Sequence, residues 1–154
     1  MKLADGLKSI PYYRTPSVIA IGVFDGVHKG HQAVIKKAAR HAMRKRAQSV
    51  VITFNRHPLE TVRPGSHPPI LTDTSFKANL IESLRIDLLV VIRFTKKFSQ
   101  LSPLEFLDKI CGLINVKEIV VGENFHFGKN GAGDVEFLEK YGKEHNFEVV
   151  CVPL

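Results

Sequence analysis

The fold of this chain is decided by the stretch Val18-Ile-Ala-Ile-Gly-Val-Phe-Asp-Gly-Val-His-Lys-Gly-His31. Its first half, up to Phe24, is rich in valine and isoleucine, which is typical of a strand buried in a parallel sheet. Asp25-Gly26 is a turn signal. Beyond Lys29, apolar residues recur at helical spacing, at Val34, Ile35, Ala38, Ala39 and Ala42. The stretch therefore predicts a strand, a tight glycine turn and a helix.

Two histidines lie at the predicted start of this helix. A helix N-terminus has unpaired N–H groups and the positive end of the helix dipole, so it attracts anions. Gly26 and Gly30 let the backbone approach a bulky group such as a triphosphate. His28 and His31 face the same way on a first helical turn, where they can hold phosphate oxygens.

Two other interpretations of these histidines are simple helix capping and a metal pair. No cysteine or carboxylate cluster near them completes a metal site of the usual kind, so we predict no metal ligands. A phosphate site is favoured over simple capping, because the two histidines occur together with the strand, the glycine turn and the helix.

The residues from Gly22 to His31 follow the pattern G-x-F-D-G-x-H-x-G-H. This resembles the HxGH signature of the nucleotidyltransferase superfamily and, in its longer form, the adenylyltransferase module of bacterial bifunctional riboflavin kinase/FAD synthetases. The resemblance implies transfer of the AMP moiety of ATP to FMN, giving FAD and pyrophosphate, with Mg²⁺. It implies that His28 and His31 are catalytic and that the ATP contacts include Gly22, Phe24, Asp25, Gly26 and Gly30.

Composition is consistent with one soluble domain. The chain has 154 residues, enough for one core, and no apolar run approaches the length that spans a bilayer. The first residues lack the apolar core of a secretory signal. Cys111 and Cys151 stand in apolar contexts without paired spacing, which predicts buried thiols in a reducing compartment. We therefore expect a cytoplasmic protein without a membrane partner.

The formal net charge of +7 suits anionic small molecules or nucleic acid and does not choose between them. The basic run Arg40 to Arg46 is the candidate for nucleic-acid binding. It also falls in the last turns of the predicted helix, where the helix dipole favours cations. We interpret it as a solvated helix end and predict no nucleic-acid partner, with a nucleic-acid binder kept as the alternative.

The next strand, Ser49 to Phe54, leads into a long irregular stretch with prolines at 58, 64, 68 and 69. Connections of that length are usually functional or disordered. Its start resembles the TF-x-x-x-P element of the same family. That resemblance implies that Asn55 contacts ATP and that Arg56 and Pro58 contact FMN. A solvated, proline-rich loop is the alternative.

The following segment predicts a helix capped by Thr72 or Thr74, then a strand over residues 87–94. Ser102-Pro-Leu-Glu105 is a capping box with proline at the first helical position, which predicts a firm helix start. Phe94 and Phe98 precede it, and they either face a flavin ring or pack in the core.

A second informative cluster follows the strand that ends at Gly122. The segment 122–134 is rich in glycine and resembles the family's VG-x-DF-x-FG-K element. The resemblance implies ATP contacts from Gly122 and Asn124 and FMN contacts from Phe125 and Phe127. Two residues depart from that element, because Asn124 stands where aspartate is usual and His126 where arginine is usual. A tight loop whose phenylalanines close the core is the alternative.

The alternation of strands and helices predicts an α/β fold: a Rossmann-like five-stranded parallel sheet with helices on both faces. The site is expected at the carboxyl ends of the strands that end near Phe24 and Gly122, where the strand order reverses. In the family a terminal S-S/T-x-x-R signature and a riboflavin kinase domain follow. Neither is present, so residues 1–154 are expected to be an FMN adenylyltransferase domain truncated at its C-terminus.

Two alternatives to FMN adenylylation follow from that expectation. One is a weak or inactive nucleotide- or flavin-binding fragment. The other is a sister adenylyl- or cytidylyltransferase that acts on pantetheine phosphate, nicotinamide mononucleotide or glycerol phosphate. The sequence leaves open whether the chain is an engineered piece, a fragment or a degenerate gene, and which oligomer it forms.

Overall fold

The structure, a computed structural model, describes residues 1–11, 14–55 and 74–154. Six parallel strands form one sheet in the order β1-β4-β3-β2-β5-β6. Valine and isoleucine dominate its central strands, whose residues are almost all buried, as expected for a parallel sheet covered on both faces. The strands are β1 (Lys2–Asp5), β2 (Pro16–Ile21), β3 (Gln48–Phe54), β4 (Leu88–Ile92), β5 (Asn115–Gly122) and β6 (Glu148–Val152).

Helices cover both faces of the sheet, as predicted. One apolar cluster joins the sheet to α4 and α5, and a second joins the opposite face to α1 and α2. None of the helices in the described ranges is both long enough and apolar enough to cross a membrane. The helices are α1 (Lys29–Lys45), α2 (Thr74–Ser83), α3 (Lys96–Ser99), α4 (Pro103–Leu113) and α5 (Val135–Glu144).

The sheet has one strand more than the sequence predicted. The additional strand is β1 (Lys2–Asp5), which pairs with β4 at the edge of the sheet. Only Ala4 of this strand is buried. A strand of four residues with a single buried position has too little alternation to be recognised, and its partner lies far away in sequence.

The order of strands reverses between β2 and β5, which are neighbours at the centre of the sheet. From β2 the chain proceeds through β3 to β4 on one side, and from β5 it proceeds to β6 on the other. The predicted reversal at these two strands is confirmed. Ligands of open α/β sheets bind in the crevice beyond the carboxyl ends of such strands.

The far end of α1 is tied to the sheet by a buried carboxylate. Glu118 on β5 is 1% exposed, and its Oε2 lies 2.7 Å from Nδ1 of His41. Nζ of Lys45 lies 3.7 Å from Glu118 Oε1 and 3.2 Å from Glu148 Oε2. The basic run is therefore partly an ion-pair network that fixes α1, and the expectation of a fully solvated helix end was incomplete.

The two thiols differ in exposure. Cys111 on α4 is half-buried, and burial raises the pKa of its thiol to about 11. Cys151 is exposed, contrary to the expectation of two buried thiols. It lies on β6, which is an edge strand, and its local apolar context gave no sign of that position.

Candidate functional site

The turn between β2 and α1 has an unusual backbone. Phe24 and Val27 have φ values of 51° and 44°, in the left-handed region that a side chain normally avoids, and Gly26 between them has φ 74°. Such conformations cost about 1–3 kcal/mol each and persist where the surroundings enforce them. Phe24 and Val27 are 3% and 2% exposed, so their burial in the core offsets this cost.

The carbonyl of Val23 fixes this turn to two other elements. It accepts hydrogen bonds from Oγ1 of Thr53 on β3, at 2.7 Å, and from Nζ of Lys77 on α2, at 2.9 Å. Lys77 is only 6% exposed, which is rare for a lysine. We did not identify Lys77 from the sequence. Lys77 precedes Ile81 by four residues and Leu84 by seven. That spacing places it on the apolar face of the predicted helix and could have identified it as a buried lysine.

His28 is the N-cap of α1. Its Nδ1 accepts hydrogen bonds from the backbone N–H groups of Gly30, at 3.1 Å, and His31, at 3.4 Å. An accepting Nδ1 is unprotonated, which leaves Nε2 as the donor of the neutral ring. The same ring also lines the cavity beyond the carboxyl ends of β2 and β5, which is described below. His28 can therefore cap the helix and line the cavity at the same time. Both histidines lie at the start of the helix, as predicted.

His31 lies in the first turn of α1 and stacks on His28, with ring centroids 3.5 Å apart. Phe24 contacts it edge-on at 5.5 Å. Its Nδ1 is buried and has no hydrogen-bond partner among the described residues. Burial lowers the pKa of His31 to about 4, aided by electrostatic interactions with His28 and Lys77 and opposed by the interaction with Asp25. The ring is therefore neutral at physiological pH.

This low pKa predicts a loss of stability in acid. Between pH 6.5 and about pH 4 the unfolded chain protonates His31 and the folded chain does not, so the free energy of unfolding falls as the pH drops. With allowance for the half-exposed ring, the loss is about 1 kcal/mol. Urea unfolding across this range should show a shallower decline in His31→Gln. Replacement of the exposed His126 by glutamine is the control, and an identical decline in wild type and His31→Gln would contradict the assignment.

A cavity of about 560 Å³ opens beyond the carboxyl ends of β2 and β5. This volume lies in the range of ligand pockets. One end carries polar groups from the start of α1 and the end of β5. The other end is a wall of phenylalanines. Of the residues predicted as site residues, those that line it are Gly22, Phe24, His28, His31, Gly122, Asn124, Phe125 and Phe127.

The phenylalanine wall belongs to the core and to the cavity at once. Phe94 and Phe98 are half-buried, contact each other at 5.5 Å and line the cavity. Phe125 stacks on Phe127 at 5.4 Å. Phe127 is 5% exposed, so it mainly closes the core beneath Phe125, as the structural alternative held. Phe125 keeps part of its ring accessible, and an aromatic ligand can stack there.

Among the described residues, four predicted site residues lie outside the cavity lining: Asp25, Gly26, Gly30 and Asn55. Asn55 lines a neighbouring depression, and its Oδ1 accepts the backbone N–H of Phe94 at 3.1 Å. Asp25 and Gly26 form the turn and do not border the cavity. The predictions for Arg56 and Pro58, and the N-cap at Thr72, fall outside the described residues.

Gly30 and Leu154 shape the polar end of the cavity. A Cβ at Gly30 would lie 3.1 Å from Cε1 of His28, so glycine there leaves room for the imidazole ring. Leu154 borders the same space. Its side chain would lie 3.1 Å from a Cβ at Gly30 and 3.0 Å from a Cβ at Gly122. Its backbone N–H donates to Oε1 of Glu123 at 3.0 Å. The sequence did not indicate Leu154, because nothing in its local context distinguishes it.

No group of three or more histidine, cysteine or acidic side chains capable of holding a metal ion occurs in ranges 1–11, 14–55 and 74–154. In general, Mg²⁺ commonly binds through substrate phosphates and water with one or two protein carboxylates, an arrangement that does not require such a group.

Comparison with known proteins identifies similar chains. The FAD synthetase family profile matches residues 11–154. A bifunctional riboflavin kinase/FMN adenylyltransferase of Listeria monocytogenes is 41% identical over 138 residues, which are 88% of this chain and 43% of that protein. The enzyme of the same description from Buchnera aphidicola (subspecies Schizaphis graminum) is 33% identical over 97% of this chain and 48% of its own length. This chain thus spans just under half of each relative.

A crystal structure described as a macrolide-efflux protein from Streptococcus pneumoniae has a similar fold. Its TM-score is 0.84 at 28% sequence identity, over 99% of this chain and 50% of that one. The architecture of β1 to β6 with its helices is therefore shared with a solved protein of about twice the length.

Proposed function

This chain belongs to the FAD synthetase family, as an FMN adenylyltransferase domain, and from that premise we propose that it transfers the AMP moiety of ATP to FMN, giving FAD and pyrophosphate. One observation carries the proposal. A single cavity at the ends of β2 and β5 joins a histidine pair at a helix N-terminus to a wall of phenylalanines. The first suits phosphates and the second suits a flat aromatic ring.

The reaction is a displacement at phosphorus. A phosphate oxygen of FMN forms a bond to the α-phosphorus of ATP. At the same time the α-phosphorus loses its bond to the oxygen that bridges it to the β-phosphorus, and pyrophosphate leaves with that oxygen. A phosphate monoester is ionised at neutral pH, so no protein base is required. The protein contributes position and stabilisation of charge.

The histidines act on the phosphates as neutral donors. Nδ1 of His28 is engaged by the helix cap, so its Nε2–H is the group that can donate to a phosphate oxygen. The low pKa of His31 keeps its ring neutral as well. The N-terminal end of the α1 dipole contributes partial positive charge to the same place.

The two substrates occupy opposite ends of the cavity. Gly122 and Asn124 contact the adenosine of ATP, and Phe125 stacks on the flavin with Phe94 and Phe98 nearby. Asn55 supports the site through the N–H of Phe94, which its side chain accepts. Arg56 and Pro58 remain proposed FMN contacts. Mg²⁺ enters as MgATP, held by phosphate oxygens.

Relatives of this chain combine two activities, riboflavin kinase and FMN adenylyltransferase. We propose that a riboflavin kinase domain, joined to this one or separate, supplies the FMN, and that both work in the cytoplasm. The phosphate added by a kinase is the nucleophile that adenylylation consumes, so the two reactions are consecutive.

The test is a substrate panel with MgATP, followed by chromatography of the products and assay of pyrophosphate. FMN should yield FAD and pyrophosphate in equal amounts. Riboflavin is the matched control, because it has the same ring without the phosphate and should yield neither. Turnover of pantetheine phosphate, nicotinamide mononucleotide or, with CTP, glycerol phosphate in place of FMN would favour a sister transferase. ATP binding without any turnover would favour a non-catalytic binding module.

A further inference from the structure

We propose that Lys77 is a positioning residue for this reaction: its ammonium group holds the turn that presents His28 and His31 and supplies a fixed positive charge beside them. The proposal rests on the proposed function for its kinetic consequences, but its structural consequences can be measured without turnover.

Lys77 is a buried cation with a defined partner. Its Nζ donates to the carbonyl of Val23 at 2.9 Å, and the hydroxyl of Thr53 donates to the same carbonyl at 2.7 Å. A carbonyl oxygen has two lone pairs, so these two donors saturate it. Val23 directly precedes Phe24, whose backbone is in the left-handed region. The two hydrogen bonds therefore hold the residue from which the strained turn begins.

Burying an ammonium group is costly, which indicates that this position serves more than packing. Desolvation lowers the pKa of Lys77, and the charge of Asp25 on the turn opposes that shift. An apolar side chain would fill the same place on α2 without the desolvation cost. Lys77 lies on the face of α2 that packs on the turn and does not border the cavity, so it acts through the turn and its charge.

The charge of Lys77 acts on His31. The titratable groups that bear on His31 are His28 and Lys77, which lower its pKa, and Asp25, which raises it. Inside a protein such interactions are stronger than in water, because the effective dielectric constant is lower. Lys77 thus favours the neutral ring of His31 and adds positive potential where phosphates bind.

The experiment compares Lys77→Met, Lys77→Arg, Thr53→Val and Lys140→Met. Lys77→Met removes the charge and keeps the length, and Lys77→Arg keeps the charge. Lys140 is an exposed lysine on α5, so its replacement controls for loss of one charge. We expect Lys77→Met to lower kcat about tenfold or more, with the KM for FMN changed less than about twofold. Lys77→Arg should recover most of the loss, and Lys140→Met should match wild type.

A second readout is the pH titration of the His31 ring by NMR. Lys77→Met should raise the pKa of His31, whereas Thr53→Val should leave it unchanged while lowering kcat about threefold through the loosened turn. A folded Lys77→Met with wild-type kcat and an unmoved His31 titration would overturn the proposal. If Lys77→Met does not fold, a Thr53→Val variant with wild-type kcat would overturn it. If wild type makes no FAD, the proposed function fails, and the His31 titration together with ATP affinity still decides the role of Lys77.

Discussion

Replacing both His28 and His31 by alanine is expected to lower the rate of FAD formation by at least about a thousandfold. Loss of one preorganised donor to a developing charge commonly costs about a hundredfold to a thousandfold, and here both imidazole rings at the start of α1 are lost. The sheet and the remainder of α1 do not depend on these rings, so the variant should fold. The measurement is FAD formed per unit time from FMN and MgATP, beside far-UV circular dichroism.

Because His28 also forms the N-cap hydrogen bonds of α1, a control variant is needed that removes the imidazole ring and keeps those bonds. In His28→Asn, the side-chain oxygen can accept from Gly30 and His31 as Nδ1 does, because asparagine is a good N-cap. His28→Ala loses the ring and the cap, and should cost about 1 kcal/mol of stability that His28→Asn retains. Both single variants should lose about a hundredfold in rate. An active His28→Asn would show that His28 serves the helix and not the phosphates.

Gly128→Ala is expected to destabilise the fold by about 3 kcal/mol. Gly128 has φ 80° and ψ 178°, a region that only glycine occupies readily. A Cβ there would lie 2.7 Å from the backbone nitrogen of Pro103, which begins α4 and cannot move aside as a side-chain end can. For a chain of this size the midpoint of thermal unfolding should fall by about 6–12 °C.

The matched control for Gly128→Ala lies on α4 itself. Gly112 is an exposed helical position, and a Cβ there would meet nothing within 4 Å. Gly112→Ala should therefore stabilise the fold by about 0.5–1 kcal/mol, because alanine is the better helix former. Equal and small effects of the two substitutions would contradict the assigned conformation of Gly128. Since Gly128 borders the cavity, its variant should also lose activity at temperatures where it remains folded.

Local patterns in the sequence were sufficient for several elements. The apolar run before Asp25 and the helical spacing after Lys29 predicted β2, the turn and α1, and the structure confirms them. The capping box at the start of α4 is also confirmed, with Oγ of Ser102 accepting the N–H of Glu105 at 3.1 Å and Oε1 of Glu105 accepting the N–H of Ser102 at 3.0 Å. Each of these signals lies within a few residues, where chain geometry alone decides which groups meet.

Other features depend on contacts between distant parts of the chain. Asn55 is predicted to contact the nucleotide, and only the folded structure reveals that its Oδ1 accepts the N–H of Phe94, which lies 39 residues away. β1 forms only because β4 offers it an edge, and Cys151 is exposed because β6 is the other edge. Neither fact has a local signal, since strand order is a property of the assembled sheet.

The sequence by itself determined the α/β class, the strand-turn-helix that carries His28 and His31, and the second glycine-rich cluster after β5. These rest on periodicity, turn residues and a motif, all of which act over short distances along the chain. Only the tertiary structure decided that Phe127 closes the core while Phe125 keeps an accessible ring, and that Lys77 reaches the carbonyl of Val23. Burial and the charge that one residue imposes on another arise from packing, because they depend on which distant groups share a low-dielectric interior.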